Sequence, residues 1–308
     1  MKEYTECKEY SGGKCALGHI LINMEKQNWT TVVRSDDKLN LDLKGLRKCK
    51  DLIFLWVRRN FVAKYKQTVL GPAWAVIQPL LTTVVFSVIF GNVAGLGAAG
   101  IPNFIFYLTG NIMWTLFANC LNQNSSTFVA NASIMGKVYF PRLVMPIATA
   151  ISQFITFVIQ YAFMLIFLVY YVAAKAGVHP NIFILMTPLL LVQMALLGTG
   201  FGVIISSLTT KYRDLTMAVG FGVSLWQYAS PVAYDMFSRS SLMPGGRIYA
   251  LYMLNPVSPL INIFRYAYLG SGGIDWFYYG VSWITTIIVV IVGVLLFSKV
   301  EKTFMDTV

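Results

Sequence analysis

Long uncharged apolar runs dominate the chain beyond residue 66. Between Gln67 and Gly136 the sequence contains no Asp, Glu, Lys or Arg. A helix needs about 20 apolar residues to cross the hydrocarbon core of a bilayer. Six runs come close to or exceed that length: residues 72–90, 104–121, 146–174, 182–208, 215–234 and 276–297. This pattern predicts an all-α integral membrane protein with six transmembrane helices.

A seventh apolar run, residues 248–264, is interrupted by proline. Pro256 follows Asn255, and Pro259 stands three residues later. Each proline removes a backbone donor and bends or ends a helix. The pattern predicts a pair of short re-entrant helices that enter and leave one leaflet between spans five and six. Irregular backbone at membrane depth is tolerated only against protein or a wet cavity, so this segment is a candidate functional element.

The segment before the first span predicts an amphipathic helix along the inner membrane surface. Across residues 44–66, apolar side chains recur at helical spacing on one side and basic side chains face away. Attraction to anionic lipid, about 1 kcal/mol per surface cation, also explains such a helix as a membrane anchor and nothing more. A Gly-Pro pair, which suits a first helical turn, forms an elbow into the first span. The residues assigned to this helix and elbow are Arg58, Arg59, Tyr65, Gly71 and Pro72.

Composition and charge agree with a membrane protein. Hydrophobic residues make up 56% of the 308 residues and charged residues 12%, and the mean hydropathy is +0.63. A typical soluble domain has about 25% charged residues. With six spans and an inside amino terminus, only Lys175, Arg239, Arg247 and Arg265 of the 24 cations fall outside. The net charge of +11 therefore fits the positive-inside rule, with both termini cytoplasmic, rather than nucleic-acid binding.

These patterns predict four parts of the chain. Residues 1–43 are a cytoplasmic tail, 44–66 the amphipathic helix, 72–297 the six-span domain and 298–308 a second cytoplasmic tail. On the fourth span, Gly198 and Gly202 form a GxxxG pattern that favours close helix packing.

The sequence offers little catalytic chemistry. No predicted span carries Asp, Glu, Lys, Arg or His, whereas ion-coupled transporters usually need such groups. His19 and His179 have no partners at a spacing that suits acid–base or metal chemistry. A GxxxxGK[ST] phosphate loop is also absent from the sequence. We therefore expect no catalytic residues and no metal or cofactor bound by this chain, and any ATP hydrolysis on a separate polypeptide.

Five segments carry a family resemblance. They are RRNFVAKYKQTVLGPAWAVIQPLL, YLTGNIMWTLFANCLNQNSSTFVANASIMGKVYFPRLVMPIAT, SSLTTKYRDL, SPVAY and YMLNPVSPLINIFRYAYLG. Together they resemble the permease subunits of type-2 ABC exporters for polysaccharide, O-antigen and teichoic acid. The resemblance implies a permease in the bacterial cell (inner) membrane that exports a lipid-linked polysaccharide or teichoic acid chain. A drug or small-lipid ABC exporter and a secondary transporter are the alternatives, and the KVYFPRLVMPI block favours the glycan branch.

The resemblance also implies partners. They are a second copy of this chain, an ATP-binding subunit that carries ATP and magnesium, membrane lipids, and a lipid-linked glycan or polyol-phosphate substrate. The loop 124–142 is similar to the family's coupling helix, which contacts the ATPase. Its assigned residues are Asn131, Met135, Lys137, Tyr139, Phe140 and Arg142. Lys137 and Arg142 fit the positive-inside rule equally well.

Residues 248–269 are similar to the family's extracytoplasmic gate helices. The assigned residues are Asn255, Pro256, Pro259 and Arg265, and an interfacial cation explains Arg265 equally simply. Because the apolar faces of sugars stack on aromatic rings, Trp74, Trp114, Trp226 and Tyr228 are candidate lining residues of a passage between two copies. Packing or lipid contact is the more common role of such rings.

Two departures from the family pattern stand out. Asn60 occupies the position after the arginines where the family usually has an acid. Residues 1–23 have no counterpart in the family pattern, so that Met24 is an alternative start.

Overall fold

The computed structural model describes residues 49–66, 68–135, 141, 143–209, 214–236 and 246–307. Helices and turns make up this part of the chain, and it contains no strand. In chain order the α-helices are α1 Lys50–Tyr65, α2 Trp74–Phe86, α3 Asn103–Ser125, α4 Thr127–Met135, α5 Val144–Ala173, α6 Thr187–Thr209, α7 Leu215–Tyr228, α8 Arg247–Met253, α9 Val257–Leu269 and α10 Trp276–Thr307. The predictions for the tail 1–43, the extension 1–23 and the alternative start lie outside the described residues.

Shorter helical turns extend two of these helices. The 3₁₀ turns Gly71–Ala73 and Ile182–Met186 lead into α2 and α6. A π-helical turn, Ser87–Val93, continues α2. Gly71 has a φ of +51°, so the predicted Gly-Pro elbow is present as a sharp turn before the first span.

Five helical segments of the described chain are long and apolar enough to cross a membrane. They are Gly71–Val93, Asn103–Ser125, Val144–Ala173, Ile182–Thr209 and Trp276–Val300. The prediction of an all-helical membrane protein is confirmed.

The predicted fifth span is longer than the helix in the structure, and the last helix extends beyond the predicted sixth span. Within residues 215–234 the helix ends at Tyr228, and turns follow. The 14 residues of α7 cover about 21 Å at 1.5 Å per residue, less than the hydrocarbon thickness of about 30 Å. By contrast, α10 continues as helix through most of the predicted tail 298–308, as far as Thr307.

α3 forms the centre of the bundle, and most of its residues are buried. Gly198 and Gly202 of α6 lie against its backbone: a Cβ on either would be 2.7 Å from a carbonyl oxygen, that of Phe117 or Leu121. This contact confirms the predicted packing role of the GxxxG pattern.

Two buried amides hold α2 against the bundle. Pro79 has no N–H, so the carbonyl of Ala75 lacks its donor within the helix. Gln160 of α5 donates its Nε2 to that carbonyl oxygen at 2.9 Å. Asn111 of α3 donates to the Pro79 carbonyl at 3.0 Å and to Thr83 Oγ1 at 3.2 Å. Because an unpaired carbonyl in lipid costs several kcal/mol, these amides make the proline tolerable in a membrane helix.

The apolar side of α1 packs on protein rather than on lipid. Trp56 and Val57 are buried in a cluster with Val144 and Met145 of α5. The predicted apolar face is therefore present, and its partner is the bundle. The opposite side exposes apolar Phe54, Leu55 and Val62 alongside the basic Arg58 and Arg59.

Candidate functional site

The segment interrupted by proline forms the two short helices α8 and α9, separated by residues 254–256. The side chain of Asn255 forms hydrogen bonds at this break. Its Oδ1 accepts hydrogen bonds from Trp226 Nε1 and from the backbone N–H of Val257, both at 3.2 Å. Its Nδ2 donates to Ser230 Oγ at 2.9 Å. The break is thereby tied to the end of α7.

The two prolines of this segment have different roles. Pro256 immediately precedes α9, and its carbonyl accepts a hydrogen bond from Ser282 Oγ of α10 at 2.7 Å. Ser282 also accepts from Gln193 Nε2 of α6 at 3.0 Å. Pro259 lies in the first turn of α9, where a proline fits because no intrahelical donor is needed. The interruption predicted at Pro259 is therefore wrong, and the helix breaks at Asn255 and Pro256 alone.

Arg265 is buried inside the protein, with 3% of its surface exposed. Its Nη2 donates to the Val232 carbonyl at 2.9 Å, and its Nη1 donates to the Pro231 carbonyl and, at 3.4 Å, to that of Tyr234. The guanidinium carbon lies 3.8 Å from the centroid of the Phe106 ring, a cation–π contact. The interfacial alternative for Arg265 is therefore wrong. We call this group the arginine clamp.

Space for the arginine clamp comes from Gly110 of α3. A Cβ at this position would lie 2.3 Å from Arg265 Nη2, so any larger residue would displace the guanidinium. The planar fork of an arginine suits several carbonyl acceptors at once, whereas a lysine presents a single point charge. The clamp fixes the turn after α7 onto α9 and α3.

Hydrogen bonds also fix the far end of α9. The N–H groups of His179 and Asn181 donate to the carbonyls of Leu269 and Ala267 at 3.2 and 2.8 Å. Gly270, with φ +74°, ends the helix in the left-handed conformation that favours glycine. The Leu269 and Ala267 carbonyls, which the helix end leaves free, are thus paired.

Two tyrosines attach the broken segment to neighbouring helices. The Tyr268 hydroxyl shares hydrogen bonds with the hydroxyls of Tyr161 and Thr187. Tyr249 of α8 donates its hydroxyl to Asp275 Oδ2 at 3.3 Å, just before α10. Burial, and then the nearby Asp275 carboxylate, raise the pKa of Tyr249 to about 12, so the hydroxyl stays protonated and can donate.

The four aromatic residues predicted to line a passage fall into two groups. Trp114 and Trp226 belong to an aromatic cluster with Phe117 and Phe201, in which Trp114 is 3% exposed and Trp226 is partly buried. Trp74 at the start of α2 and Tyr228 at the end of α7 are each about half exposed, at 47% and 52%. Trp74 and Tyr228 therefore expose more surface to a passage than the partly buried Trp226 or the buried Trp114, and the lining role stays a prediction.

The predicted coupling residues lie mostly outside the described part of the chain. Asn131 is in α4 and donates its Nδ2 to the Thr127 carbonyl at 3.0 Å. Met135 ends α4. The remaining four, Lys137, Tyr139, Phe140 and Arg142, lie outside the described residues.

The predicted residues of the surface helix and the elbow all lie within the described part of the chain. Arg58 and Arg59 are exposed, and the Arg59 guanidinium carbon lies 4.3 Å from the centroid of the Trp56 ring. Tyr65 is buried at the end of α1, and Pro72 follows Gly71 in the elbow. Their functional roles stay predictions.

A comparison of the sequence with known families gives a match over most of the chain. The model of the ABC-2 type transporter family matches residues 51–269. The chain belongs to that family. The match runs from α1 to the end of α9, so the arginine clamp and the broken helix both lie inside the ABC-2 region.

Curated relatives of this ABC-2 chain are named as O-antigen export system permease protein RfbA. A protein of that name from Klebsiella pneumoniae is 28% identical over 258 residues, which is 83% of this chain and 94% of that protein. Another from Myxococcus xanthus is 24% identical over 224 residues, 72% of this chain and 82% of that protein.

Sequence reasoning missed the buried amides of this ABC-2 chain. Asn111, Gln160 and Gln193 are at most 4% exposed and lie inside predicted spans. The signal was available, because an amide within an apolar run is costly unless it finds a partner. Among the described residues no group of three His, Cys, Asp or Glu could hold a metal ion, and the predicted absence of a cofactor stays a prediction.

Proposed function

We propose that this chain is the membrane-spanning permease subunit of an ATP-driven exporter that moves a lipid-linked polysaccharide out of the cytoplasm. The observation that carries this proposal is the likeness, over 83% of the chain, to a permease named for O-antigen export. The ABC-2 family match and the five apolar helices support a membrane-embedded role. In this proposal ATP and magnesium bind to a separate ATPase subunit.

The proposed topology has six crossings and cytoplasmic termini. The sixth crossing is the short helix α7 together with the turn that follows it, which the arginine clamp holds in the bundle. Helices α8 and α9 then form a re-entrant pair on the outer side. The concentration of basic residues in the amino-terminal third supports an inside location for α1.

The proposed passage lies between two copies of the chain. Support comes from α7, whose only buried residue is Val223, while Met217, Phe221 and Leu225 are exposed along its length. Such an apolar helix face needs either lipid or a second copy to cover it. Tyr228 at its end lies near the rings of Phe86 and Phe90, with centroids 6.2 and 6.4 Å away, which gives an aromatic wall for sugars.

In the proposed mechanism, closure of the ATPase moves α4 and the loop that follows it. The bundle transmits this movement through α3 and α6, which pack backbone to backbone at Gly198 and Gly202. The hydrogen-bonded break at Asn255 is the point at which the outer segment would open, because the continuous backbone ladder is already interrupted there. No catalytic residue is required of this chain.

Export of surface polysaccharide in living cells tests the proposal. Deleting this chain should remove the polymer from the cell surface and leave lipid-linked glycan inside, as measured by surface immunoblot and by extraction of lipid-linked sugars. Supplying the chain again should restore export only when the partner ATPase has an intact phosphate loop. Normal surface glycan after the deletion, together with retained drugs or small lipids, would instead favour an exporter of those compounds.

A further inference from the structure

A cavity of about 200 Å³ lies in the seam between α1 and the bundle. We call it the seam cavity. Its polar wall includes Asn60, Lys64, Tyr65, Gln123, Gln153 and Thr156. None of the described residues that line it is acidic. Most protein pockets for drug-sized molecules measure about 300–1,000 Å³, so this volume suits a small polar group rather than an oligosaccharide.

Two buried side chains in this wall have polar atoms without a hydrogen-bond partner in the described chain. They are the hydroxyl of Tyr65, whose side chain is 7% exposed, and Oε1 of Gln153, which is 3% exposed. A buried polar group left unpaired in this way destabilises the folded protein. By comparison, the equally buried Gln160 on the same helix α5 is paired. The unpaired atoms in the wall indicate a polar ligand.

The donors and acceptors of the wall define the chemistry of that ligand. Lys64 supplies a positive charge, with Nζ 5.5 Å from the centroid of the Tyr65 ring. The Tyr65 hydroxyl can donate to a phosphate oxygen, and Gln153 Oε1 can accept from a hydroxyl. Asn60 contributes an uncharged amide to this wall. A phosphate with a neighbouring hydroxyl meets all of these requirements.

We propose that the seam cavity binds the phosphate headgroup of a membrane lipid that carries a hydroxyl close to the phosphate. Two sources share this chemistry: phosphatidylglycerol, with its glycerol headgroup, and a polyprenyl phosphate joined to a sugar. Only the second source rests on the proposed function. The site itself rests on the cavity and its polar wall.

Lipid titration of the full-length chain, freed of lipid in detergent and followed by native mass spectrometry, tests this proposal. Phosphatidylglycerol should bind once per chain and at least ten-fold more tightly than phosphatidylcholine, whose headgroup lacks a hydroxyl, or diacylglycerol, which lacks a phosphate. The isosteric variants Asn60→Asp and Gln153→Glu each add a negative charge to the wall. Each should weaken phosphatidylglycerol binding about ten-fold or more, because like charges repel at short range.

A matched control and a milder variant complete the experiment. Asn122→Asp makes the same change on the residue beside Gln123 but outside the described wall, and its affinity should match the wild type. Tyr65→Phe keeps the ring and removes only the hydroxyl, so it should fold normally by circular dichroism and bind several-fold more weakly. Equal binding by wild type, Gln153→Glu and Tyr65→Phe, or equal affinity for all three lipids, would overturn the proposal.

A second titration, with a polyprenyl-phosphate sugar, identifies which of the two lipids the cavity prefers. Tighter binding of a polyprenyl-phosphate sugar than of phosphatidylglycerol would assign the seam cavity to the carrier of the cargo, and equal or weaker binding would assign it to bulk phospholipid. Both results support the site. Binding is measured without ATPase or cargo export, so a failure of the export proposal leaves this measurement intact, and a failure to bind leaves the export proposal intact.

Discussion

The arginine clamp and the seam cavity both bury polar groups in an apolar protein, but they do so in different ways. In the clamp, both terminal nitrogens of Arg265 donate to backbone carbonyls, and the ring of Phe106 covers the guanidinium. In the wall of the seam cavity, the hydroxyl of Tyr65 and Oε1 of Gln153 are buried without partners in the described chain. Three hydrogen bonds from Nη1 and Nη2 stabilise the first region, in which Nε is the one guanidinium nitrogen without a partner in the described chain. The second region has two buried polar side chains with capacity left for a ligand.

Both regions contact the same helix, α3, near its two ends. Gly110 contacts the clamp and Gln123 lines the seam cavity. At 1.5 Å per residue, these positions are about 20 Å apart along the helix axis. A rigid central helix therefore joins a region of fixed geometry to a region that can take up a ligand. The four predictions below, ordered by expected effect, test this difference.

Removing the guanidinium from the clamp should have the largest effect. In Arg265→Met, the carbonyls of Pro231, Val232 and Tyr234 lose their donor. Each unpaired buried acceptor costs about 1–3 kcal/mol, so we expect the free energy of unfolding to fall by about 3–5 kcal/mol after partial repacking. Thermal unfolding of the detergent-solubilised chain, followed by tryptophan fluorescence, measures the loss.

The matched control for this prediction is the exposed Arg58. Arg58→Met should change stability by no more than about 0.5 kcal/mol. Arg265→Lys should fall between the two, because lysine keeps the charge but not the planar fork. If Arg265→Met and Arg58→Met unfold at the same temperature, the clamp does not stabilise the fold.

Glycine substitutions test whether α3 is the rigid link between the two regions. A Cβ at Gly202 would meet the Leu121 carbonyl at 2.7 Å, so Gly202→Ala should cost about 1–3 kcal/mol. Gly220 on α7 has nothing within 4 Å, and Gly220→Ala should stabilise the helix by up to about 1 kcal/mol. Urea unfolding in detergent measures both changes, and a loss of stability in both variants would contradict the packing described here.

A double-mutant cycle tests the pairing between Gln160 and the carbonyl freed by Pro79. Gln160→Leu should cost about 1–2 kcal/mol because the Ala75 carbonyl loses its donor. In a Pro79→Ala background the helix supplies its own N–H, so the same change should cost about 1 kcal/mol less. Equal costs in the two backgrounds would mean that the amide does not compensate for the proline.

The prediction with the smallest expected effect removes a tyrosine hydroxyl at each of two positions. Tyr268→Phe removes a hydroxyl that shares two hydrogen bonds and should cost about 1 kcal/mol. Tyr65→Phe removes an unpaired hydroxyl and, in lipid-free detergent, should be neutral or slightly stabilising. Melting temperatures of the two variants give the comparison, and a larger loss at Tyr65 would show that its hydroxyl already has a partner within the protein.

The sequence predicted the features that depend on local chemistry. Apolar runs identified the long helices, the Asn255-Pro256 pair marked the break, and Gly198 with Gly202 identified a close helix contact. The arginine clamp was not predictable in this way, because Arg265 is paired with backbone carbonyls more than 30 residues away, and carbonyls leave no signature in a sequence.

Two further features that the sequence pattern left open or misplaced have physical causes. The sequence pattern showed that α1 has an apolar face. It could not show whether lipid or protein covers that face, because both are apolar. The fifth predicted span was too long because the apolar run continues beyond Tyr228, although the helix does not. Pro231 was the available signal for that end, since a proline rarely continues a helix interior.

The length of α10 has a practical consequence. Its 32 residues form a rod of about 48 Å, well beyond the hydrocarbon core of about 30 Å. The rod begins next to Asp275, the acceptor for Tyr249 of α8, and ends at Thr307. A spectroscopic label attached near its carboxyl end would therefore report a tilt that originates at the other end of the rod, about 48 Å away.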